Sequence, residues 1–372
     1  MSDTKIDRLR AAMSRVGLDA VFVSNPKNLK YLTGFKTTMP GDVQSFGDPE
    51  GFVLVHSARA DFLCDGRYIN AARQLPNVSA HLLEAPVNAE RIAAKIKELL
   101  PPGTRSLGFE HDAVVYADAV GLLEHLPGLA VHAAEGLFVD LRLRKAPDEI
   151  DRLRRAQAIT GDCFTHIAKT IRPGMSERDV ALEINNYLQS HSEGCSFETI
   201  VAFGETGCNP HYVPDPARKL QKGQMVLVDF GAVYEGYAGD MTRMICIGRA
   251  DARQREVYNI VLEAQLAGLA AVRPGVKAHD IDQAVRKVFE KYNCLDRFLH
   301  GTGHGVGLAI HEPPRIRSGF DTVIEPGMVF SVEPGLYYEG WGGVRIEDVV
   351  AVTASGCDNL TTTSKELLEL DV

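Results

Sequence analysis

Hydrophobic and polar positions follow two different arrangements along the chain, with a change near residue 140. In the first part, short apolar runs rich in β-branched residues alternate with amphipathic segments of helical period. This alternation predicts an α/β layer domain with a largely parallel sheet. The predicted strands are 20–23, 52–55, 60–63, 80–84, 106–109 and 129–132, and the predicted helices are 4–17, 29–34, 69–75, 88–100 and 115–125.

The second arrangement begins after the segment Leu141–Pro147, whose basic residues indicate a linker. Helices are predicted in pairs, and an Arg-Pro-Gly turn at 172–174 or 273–275 separates the two helices of each pair. An apolar hairpin follows each pair, which indicates two like units about a pseudo-twofold axis. The predicted helices are 148–170, 177–191, 252–271 and 279–292.

These two arrangements predict an α+β protein with two domains. Residues 1–140 form the α/β domain, which we expect to be a scaffold or dimerisation domain because it has no metal-ligand or nucleophile spacing. Residues 145–372 form a domain in which helices back a pseudo-symmetric antiparallel sheet, with a ligand site expected where its halves meet. The segment 36–51 is rich in Gly, Pro and Asp, which predicts an exposed loop.

The first hairpin carries two acidic residues. The buried strand 225–228 leads into Asp229, and Asp240 follows after Tyr234-Glu235-Gly236. A turn at Tyr234-Glu235 would place Asp229 opposite Asp240. Buried carboxylates that face one another raise each other's pKa and are costly unless a cation neutralises them. The alternative is a surface hairpin with two unrelated acids.

The second hairpin repeats the pattern and favours the metal interpretation. Glu333 takes the place of Asp229, and Tyr-Glu-Gly recurs and ends at Gly340. Glu347 answers Asp240, although it lies three positions later than strict register. Four carboxylates that converge on one point suit a pair of divalent cations better than a single ion.

Histidines are concentrated between the two hairpins. The glycine-rich stretch from His300 to His311 includes His304. One imidazole with four carboxylates is a donor set that favours Mn²⁺, Co²⁺ or Fe²⁺ over structural zinc. For each histidine taken alone, the alternative is a hydrogen-bonded core residue. His211 lies in a turn-rich segment before the first hairpin, which predicts a loop that lines the site.

The composition of the chain argues against some classes of binding partner. The chain has 372 residues and a formal net charge of −9, which argues against nucleic-acid and anionic-membrane partners. Its N-terminus lacks an apolar signal core, and no apolar run approaches the roughly 20 residues of a membrane span. The seven scattered cysteines form no Cys-x-x-Cys pair, so we expect reduced thiols in a cytoplasmic protein.

The order of these residues resembles the creatinase/prolidase/methionine aminopeptidase family, the "pita-bread" metallopeptidases. Asn-Pro-His-Tyr precedes the first acid, and Gly-His-Gly-Val-Gly and His-Glu-Pro lie between the hairpins. The N-terminal domain and Asp65-Gly-Arg-Tyr68 are similar to the Xaa-Pro dipeptidase (prolidase) and Xaa-Pro aminopeptidase branch. The matching metal ligands are Asp229, Asp240, His304, Glu333 and Glu347.

The resemblance implies two divalent metal ions, with Mn²⁺ favoured and Co²⁺, Zn²⁺ or Fe²⁺ as alternatives. Asp229 would hold one ion, His304 and Glu333 the other, and Asp240 and Glu347 both. A water or hydroxide between the ions is the implied nucleophile.

Other roles follow from the same resemblance. Glu333 would also shuttle a proton. His211 and His311 would contact the substrate and stabilise the tetrahedral intermediate. Arg345 and Thr242 would orient the ligand carboxylates.

The implied activity is a homodimeric exopeptidase that cleaves the peptide bond before proline. Arg315 matches an arginine of some prolidases and could bind the free carboxylate of a dipeptide, so a dipeptidase is favoured. For Arg315 alone, a solvated loop arginine is the alternative. An Xaa-Pro aminopeptidase on longer peptides and a creatinase-like hydrolase or lyase are the alternative activities. A pseudoenzyme should have lost ligands that this chain keeps.

Overall fold

The computed structural model describes residues 4–36 and 43–372. The chain forms two compact units, Met1–Arg142 and Leu143–Val372. Each has its own core of buried apolar side chains. No helix in the described ranges is long and apolar enough to cross a membrane.

The first unit is built around a six-stranded sheet in the order β4-β3-β2-β1-β5-β6. Three of its five strand pairings are parallel, and the pairings of β2 with β1 and with β3 are antiparallel. The sheet is therefore mixed, because β2 and β3 form a hairpin within the largely parallel arrangement that was predicted. The strands are β1 (Ala20–Val23), β2 (Phe52–His56), β3 (Ala60–Cys64), β4 (Ser79–Leu82), β5 (Ser106–Phe109) and β6 (Ala130–Ala133).

Helices of the first unit follow the predicted order, with one addition. The sequence pattern missed α6, whose last turn extends into the segment expected to be a linker. The predicted helix 69–75 is a single turn, α3. The helices are α1 (Lys5–Val16), α2 (Pro26–Thr33), α3 (Ile69–Ala72), α4 (Ala89–Leu99), α5 (Tyr116–Glu124) and α6 (Glu135–Leu143).

The segment 36–51 differs from the expected exposed loop. Residues 37–42 lie outside the described ranges, but Gln44 and Phe46 are fully buried. The Gln44 side-chain amide donates to the Gly51 carbonyl, and its oxygen accepts from the Glu50 N–H. The prediction of exposure was wrong here because a glutamine amide can replace water for the backbone of a turn-rich segment.

The second unit contains the two predicted helix pairs. Pro147 occupies the first turn of α7, and Ser176 caps α8 through a reciprocal pair of hydrogen bonds with Asp179. Gly174 and Gly275 have positive φ angles of 91° and 88°, as the chain reversal between paired helices requires. The helices are α7 (Pro147–Thr170), α8 (Glu177–His191), α9 (Ala252–Ala271) and α10 (Ala278–Lys291).

The strands of the second unit form a four-stranded sheet, β19-β11-β8-β7, and a five-stranded sheet, β13-β12-β14-β17-β18. Two small ribbons, β9-β10 and β15-β16, extend the hairpins. The strands are β7 (Ile200–Phe203), β8 (Met225–Phe230), β9 (Val233–Tyr234), β10 (Tyr237–Ala238), β11 (Met241–Ile247), β12 (Gly303–Gly305), β13 (Glu312–Ile316), β14 (Val329–Val332), β15 (Gly335–Tyr338), β16 (Gly342–Arg345), β17 (Asp348–Val352), β18 (Cys357–Asn359) and β19 (Leu368–Leu370).

The register of the first hairpin differs from the prediction by two positions. Asp229 pairs with Thr242, not with Asp240. The turn is one residue later than expected, at Glu235 and Gly236, whose φ angles are 48° and 83°. Two consecutive positive φ angles are the requirement of a type I′ hairpin turn, and glycine suits the second position.

The second hairpin explains the three-position offset of Glu347. Its loop has one more residue, because Tyr338 pairs with Gly342 whereas Tyr234 pairs with Tyr237. The pairings on either side place Glu333 and Glu347 opposite one another. Glu347 therefore occupies the place that Thr242 has in the first hairpin.

The same comparison identifies the residue of the second hairpin that is equivalent to Asp240. The position equivalent to Asp240 in the second hairpin is Arg345, which pairs with Gly335. The pseudo-twofold axis thus relates Asp240 to Arg345 and Thr242 to Glu347. The halves share a scaffold but present different side chains to the site.

Candidate metal centre

A cleft of about 1220 Å³ opens in the second unit, where strands of its two halves meet. Acids of both hairpins and histidines of the intervening segment line this cleft. Nine of the ten residues singled out from the sequence do so, and Thr242 lies behind Glu347. The nine are His211, Asp229, Asp240, His304, His311, Arg315, Glu333, Arg345 and Glu347.

The four carboxylates lie at or near the ends of strands. Asp229 lies near the end of β8, and Asp240 directly precedes β11. Glu333 directly follows β14, and Glu347 lies between β16 and β17. Asp240 and Glu347 are only 3% and 1% exposed, so their charges are almost completely removed from water.

His304 in β12 joins the carboxylates through its Nε2 atom. Nε2 lies 3.2 Å from Glu333 Oε1 and 3.7 Å from Asp240 Oδ2. Within the described ranges, Asp240, His304 and Glu347 each offer a ligand atom, and these atoms lie within 4.8 Å of one another. Such a cluster of oxygen and imidazole donors can hold a divalent cation.

The electrostatics of the site are those expected of crowded acids. Burial, followed by the charges of Glu333 and Asp229, raises the pKa of Glu347 to about 8. Burial and then the Glu347 charge raise the pKa of Asp240 well above its usual range. Burial would also raise the pKa of Glu333, but the hydrogen bond and charge of His304 outweigh it and lower that pKa to about 2.

Two carboxylate oxygens without a hydrogen-bond partner indicate whether the site suits a cation. Asp229 Oδ1 and Glu347 Oε1 are buried and accept no hydrogen bond. Buried carboxylate oxygens without a donor are costly, and a bound cation removes that cost. The donors present therefore fit divalent metal ions.

Arg345 fixes the direction of two of the carboxylates. Its Nη2 donates to Asp229 Oδ2 at 2.6 Å, and its Nε donates to Thr242 Oγ1 at 2.9 Å. The Thr242 hydroxyl in turn donates to Glu347 Oε2 at 2.8 Å. Arg345 thereby orients Asp229 directly and Glu347 through Thr242.

Tyr337 and His300 support Arg345, and the sequence analysis assigned neither a role. Arg345 Nη1 donates to the Tyr337 hydroxyl oxygen at 2.9 Å, and that hydroxyl lies 2.7 Å from His300 Nε2. His300 Nδ1 lies 2.7 Å from the Gly301 carbonyl, to which it donates, so Nε2 accepts from Tyr337. The repeat gave no signal for Tyr337, because it directly precedes the repeated Tyr338-Glu339-Gly340 and falls on Val233 of the first hairpin.

His311 and His211 are exposed on the cleft wall. The His311 ring centroid lies 4.3 Å from that of His304. Although His311 is exposed to the cleft, partial desolvation by the cleft wall and the neighbouring His304 lower its pKa to about 4, so its imidazole is neutral near pH 7. A neutral imidazole can donate one hydrogen bond to an oxygen in the cleft.

Lys145 anchors the loop that ends in His311. Its ammonium lies 2.8 Å from Glu312 Oε1, and both side chains are buried. Glu312 Oε2 accepts from the Ala309 N–H within the same loop. The segment 141–147, expected to be a linker, therefore contributes a buried cation to the support of this loop.

Comparison with known families matches both units. A model of Metallopeptidase family M24 matches residues 151–354. A model of the Creatinase/Prolidase N-terminal domain matches residues 5–144.

Individual relatives cover nearly the whole chain. The Xaa-Pro dipeptidase of Pyrococcus furiosus is 33% identical and aligns with 98% of this chain and 99% of its own length. Among solved structures, the Xaa-Pro dipeptidase from Bacillus anthracis superposes with a TM-score of 0.88 at 37% identity, over 98% of this chain and 99% of that one. The X-Pro aminopeptidase from Thermotoga maritima superposes with a TM-score of 0.86 at 26% identity, over 97% and 100%.

Proposed function

Because this chain belongs to Metallopeptidase family M24, we propose that it hydrolyses the peptide bond preceding proline in Xaa-Pro dipeptides. The observation that supports this most is the convergence of four carboxylates and one imidazole on a single cleft. The relatives named as Xaa-Pro dipeptidases, at about the same length as this chain, support the choice of substrate.

Two divalent metal ions would occupy the cleft. Asp229 would hold one ion, His304 and Glu333 the other, and Asp240 and Glu347 would bridge them. Mn²⁺ is favoured by the set of hard oxygen donors with one imidazole, with Co²⁺, Zn²⁺ and Fe²⁺ as alternatives. Bound ions would polarise a carbonyl and lower the pKa of water from 15.7 to about 7.

The chain's own residues would handle the proton and the developing charge. Glu333 would shuttle a proton; in the metal-free protein its carboxylate is ionised at neutral pH, because, against the effect of burial, the hydrogen bond and charge of His304 lower its pKa. His311 is neutral, and its N–H can donate to an oxygen that becomes negative. His211 would also contact the substrate and stabilise the tetrahedral intermediate.

Metal binding is expected to depend on pH in a defined direction. In the metal-free protein, Glu347 has a pKa of about 8 and is protonated below that pH. Metal binding must displace this proton, together with those held by Asp240 and His304, whose pKa values are also raised, so affinity should rise with pH up to at least about pH 8. Calorimetric titration with Mn²⁺ in buffers of different ionisation enthalpy should show release of at least about one proton at pH 7. An affinity that does not change from about pH 6 to pH 8 would contradict this assignment.

Arg315 supports the dipeptidase over the aminopeptidase. It pairs with His304 across β12 and β13, so its exposed guanidinium stands beside the proposed metal ligands. Such a guanidinium can bind the free carboxylate of a dipeptide through two hydrogen bonds.

Arg315→Gln is expected to lower kcat/KM for Ala-Pro by about 10- to 100-fold, because a charge-assisted hydrogen-bond pair contributes about 1.5–3 kcal/mol. Hydrolysis of Ala-Pro amide, which has no free carboxylate, should change little. The measurement is a panel of X-Pro dipeptides and longer X-Pro peptides assayed with Mn²⁺ and Co²⁺. A wild-type preference for the longer peptides would overturn the dipeptidase assignment.

An Xaa-Pro aminopeptidase is the second candidate. The cleft volume of about 1220 Å³ favours it, because this space exceeds what a dipeptide fills. The same panel of peptides separates the two activities.

We also propose a cytoplasmic homodimer in which residues 1–140 serve as scaffold or dimerisation domain. The net charge of −9 disfavours nucleic acid and anionic membranes as partners. Light scattering of the purified protein measures the oligomeric state, and a monomer would contradict the proposal.

A further inference from the structure

Besides Arg345, three arginines line the cleft: Arg178, Arg315 and Arg317. Arg315 lies in β13, Arg317 directly follows the last residue of that strand, and both line the cleft. Both are exposed. Across residues 4–36 and 43–372, neither guanidinium has an ion pair with a carboxylate. Two neighbouring positive charges in the cleft are thus left for an anionic ligand.

The backbone that carries Arg317 is held rigidly on both sides. Ile316 pairs with Gly303, and the Ser318 hydroxyl donates to the buried Asp282 carboxylate at 2.7 Å. Asp282 also pairs with Arg286 at 2.6 Å, so its charge is already compensated without Arg317. Arg317 therefore projects from a fixed position rather than from a mobile loop.

Two neighbours shape the surroundings of the Arg317 side chain. A Cβ atom at Gly301 would lie 2.7 Å from the Arg317 Cβ, so the absence of a side chain at Gly301 makes room for the arginine. The Phe320 ring centroid lies 5.7 Å from the guanidinium carbon. A guanidinium that stacks on an aromatic ring keeps its N–H edge available for hydrogen bonds.

We propose that Arg317 forms a second carboxylate-binding position, one that takes the C-terminal carboxylate of Xaa-Pro peptides extended beyond proline. The inference rests on the proposed function and extends its substrate class to tripeptides and tetrapeptides. Arg315 would bind the carboxylate of a dipeptide. Arg317 lies two residues further along the chain, at most about 7 Å away, a distance that one to two further residues of an extended peptide can span.

The test compares Arg317→Gln and Arg315→Gln with wild type in the metal-loaded enzyme. The substrates are Ala-Pro, Ala-Pro-Ala, Ala-Pro-Ala-Ala and the C-terminal amides of the two longer peptides. Arg317→Gln should leave kcat/KM for Ala-Pro within about twofold and lower it about tenfold or more for a longer peptide acid, mainly through KM. For the wild-type enzyme, kcat/KM should be lower for the C-terminal amide than for the peptide acid by the same factor. Arg317→Gln should not lower kcat/KM for that amide any further.

Two controls refine the test. Arg273→Gln removes an exposed arginine outside the cleft and should leave every substrate unchanged. Arg317→Lys keeps the charge but not the fork, so it should recover part of the activity on longer acids.

The outcomes separate this inference from the proposed function. Equal effects of Arg317→Gln on acids and amides, or no effect, would overturn the second position while leaving the dipeptidase intact. Wild-type hydrolysis of Ala-Pro without hydrolysis of longer peptides would do the same. Absence of hydrolysis of every Xaa-Pro peptide after metal loading would overturn the proposed function, and the inference with it.

Discussion

Asp240→Asn is expected to abolish peptidase activity, with kcat/KM lowered by at least about 10³-fold. Asp240 is buried, its carboxylate faces His304, and it would bridge both metal ions. Asparagine keeps the shape but removes the charge, and the transition-state stabilisation that bound metals contribute is several kcal/mol. About 4 kcal/mol corresponds to a 10³-fold loss of rate.

Steady-state kinetics on Ala-Pro and metal analysis of the purified variant should be combined. We expect the metal content to fall from two ions per chain to one or fewer. Asp358→Asn is a suitable control, because Asp358 is an exposed acid in β18 away from the cleft. An Asp240→Asn protein that keeps two ions per chain and wild-type activity would remove Asp240 from the ligand set.

Arg345→Met is expected to have the second-largest effect, on both metal affinity and stability. Arg345 is 2% exposed, and its guanidinium contacts Asp229 at 2.6 Å. Removal of one partner leaves a buried carboxylate without its cation, which costs about 3–5 kcal/mol in the metal-free protein. Loss of a residue that orients metal ligands typically lowers metal affinity by about 10- to 100-fold.

The two effects of Arg345→Met can be measured separately. Thermal unfolding with and without Mn²⁺ should show that added metal recovers much of the lost stability, because the ion replaces the missing positive charge beside Asp229. Thr242→Val is the matched control, since it removes the contact to Glu347 but keeps the ion pair of Arg345. We expect a smaller loss of stability for this variant. An equal loss in both variants would indicate that the ion pair contributes little.

Much of the site follows from the sequence because a duplicated hairpin repeats its acids at a readable interval. Asp229 and Glu333 each follow an apolar strand and precede a Tyr-Glu-Gly turn, so local pattern alone places them at equivalent strand ends. The family, the fold class and the metallopeptidase activity, which the resemblance to a known family implied, are confirmed by the family comparison. The individual roles of the site residues stay predictions.

The register of the hairpins did not follow from the sequence. Pairing depends on where two consecutive residues adopt positive φ, and Glu235 takes this conformation although its side chain does not favour it. The predicted opposition of Asp229 and Asp240 was therefore wrong by two positions. The extra residue in the second loop likewise became visible only when the strands were paired.

The support of the site also needed the tertiary structure. His300, Tyr337 and Arg345 form one hydrogen-bonded chain although they are distant from Asp229 in sequence. Lys145 lies in a segment that the sequence indicated as a basic linker, yet it is buried against Glu312. No local pattern reports such contacts, because they depend on which segments the fold brings together.

The sequence by itself determined the repeat, the donor types and their order along the chain. These properties are carried by short stretches whose period and turn residues act locally. Only the tertiary structure decided that Arg345 takes the place equivalent to Asp240 and that Thr242 takes the place equivalent to Glu347. Strand register is a cooperative property of whole sheets, so the unequal halves of the site emerge only when both hairpins are paired.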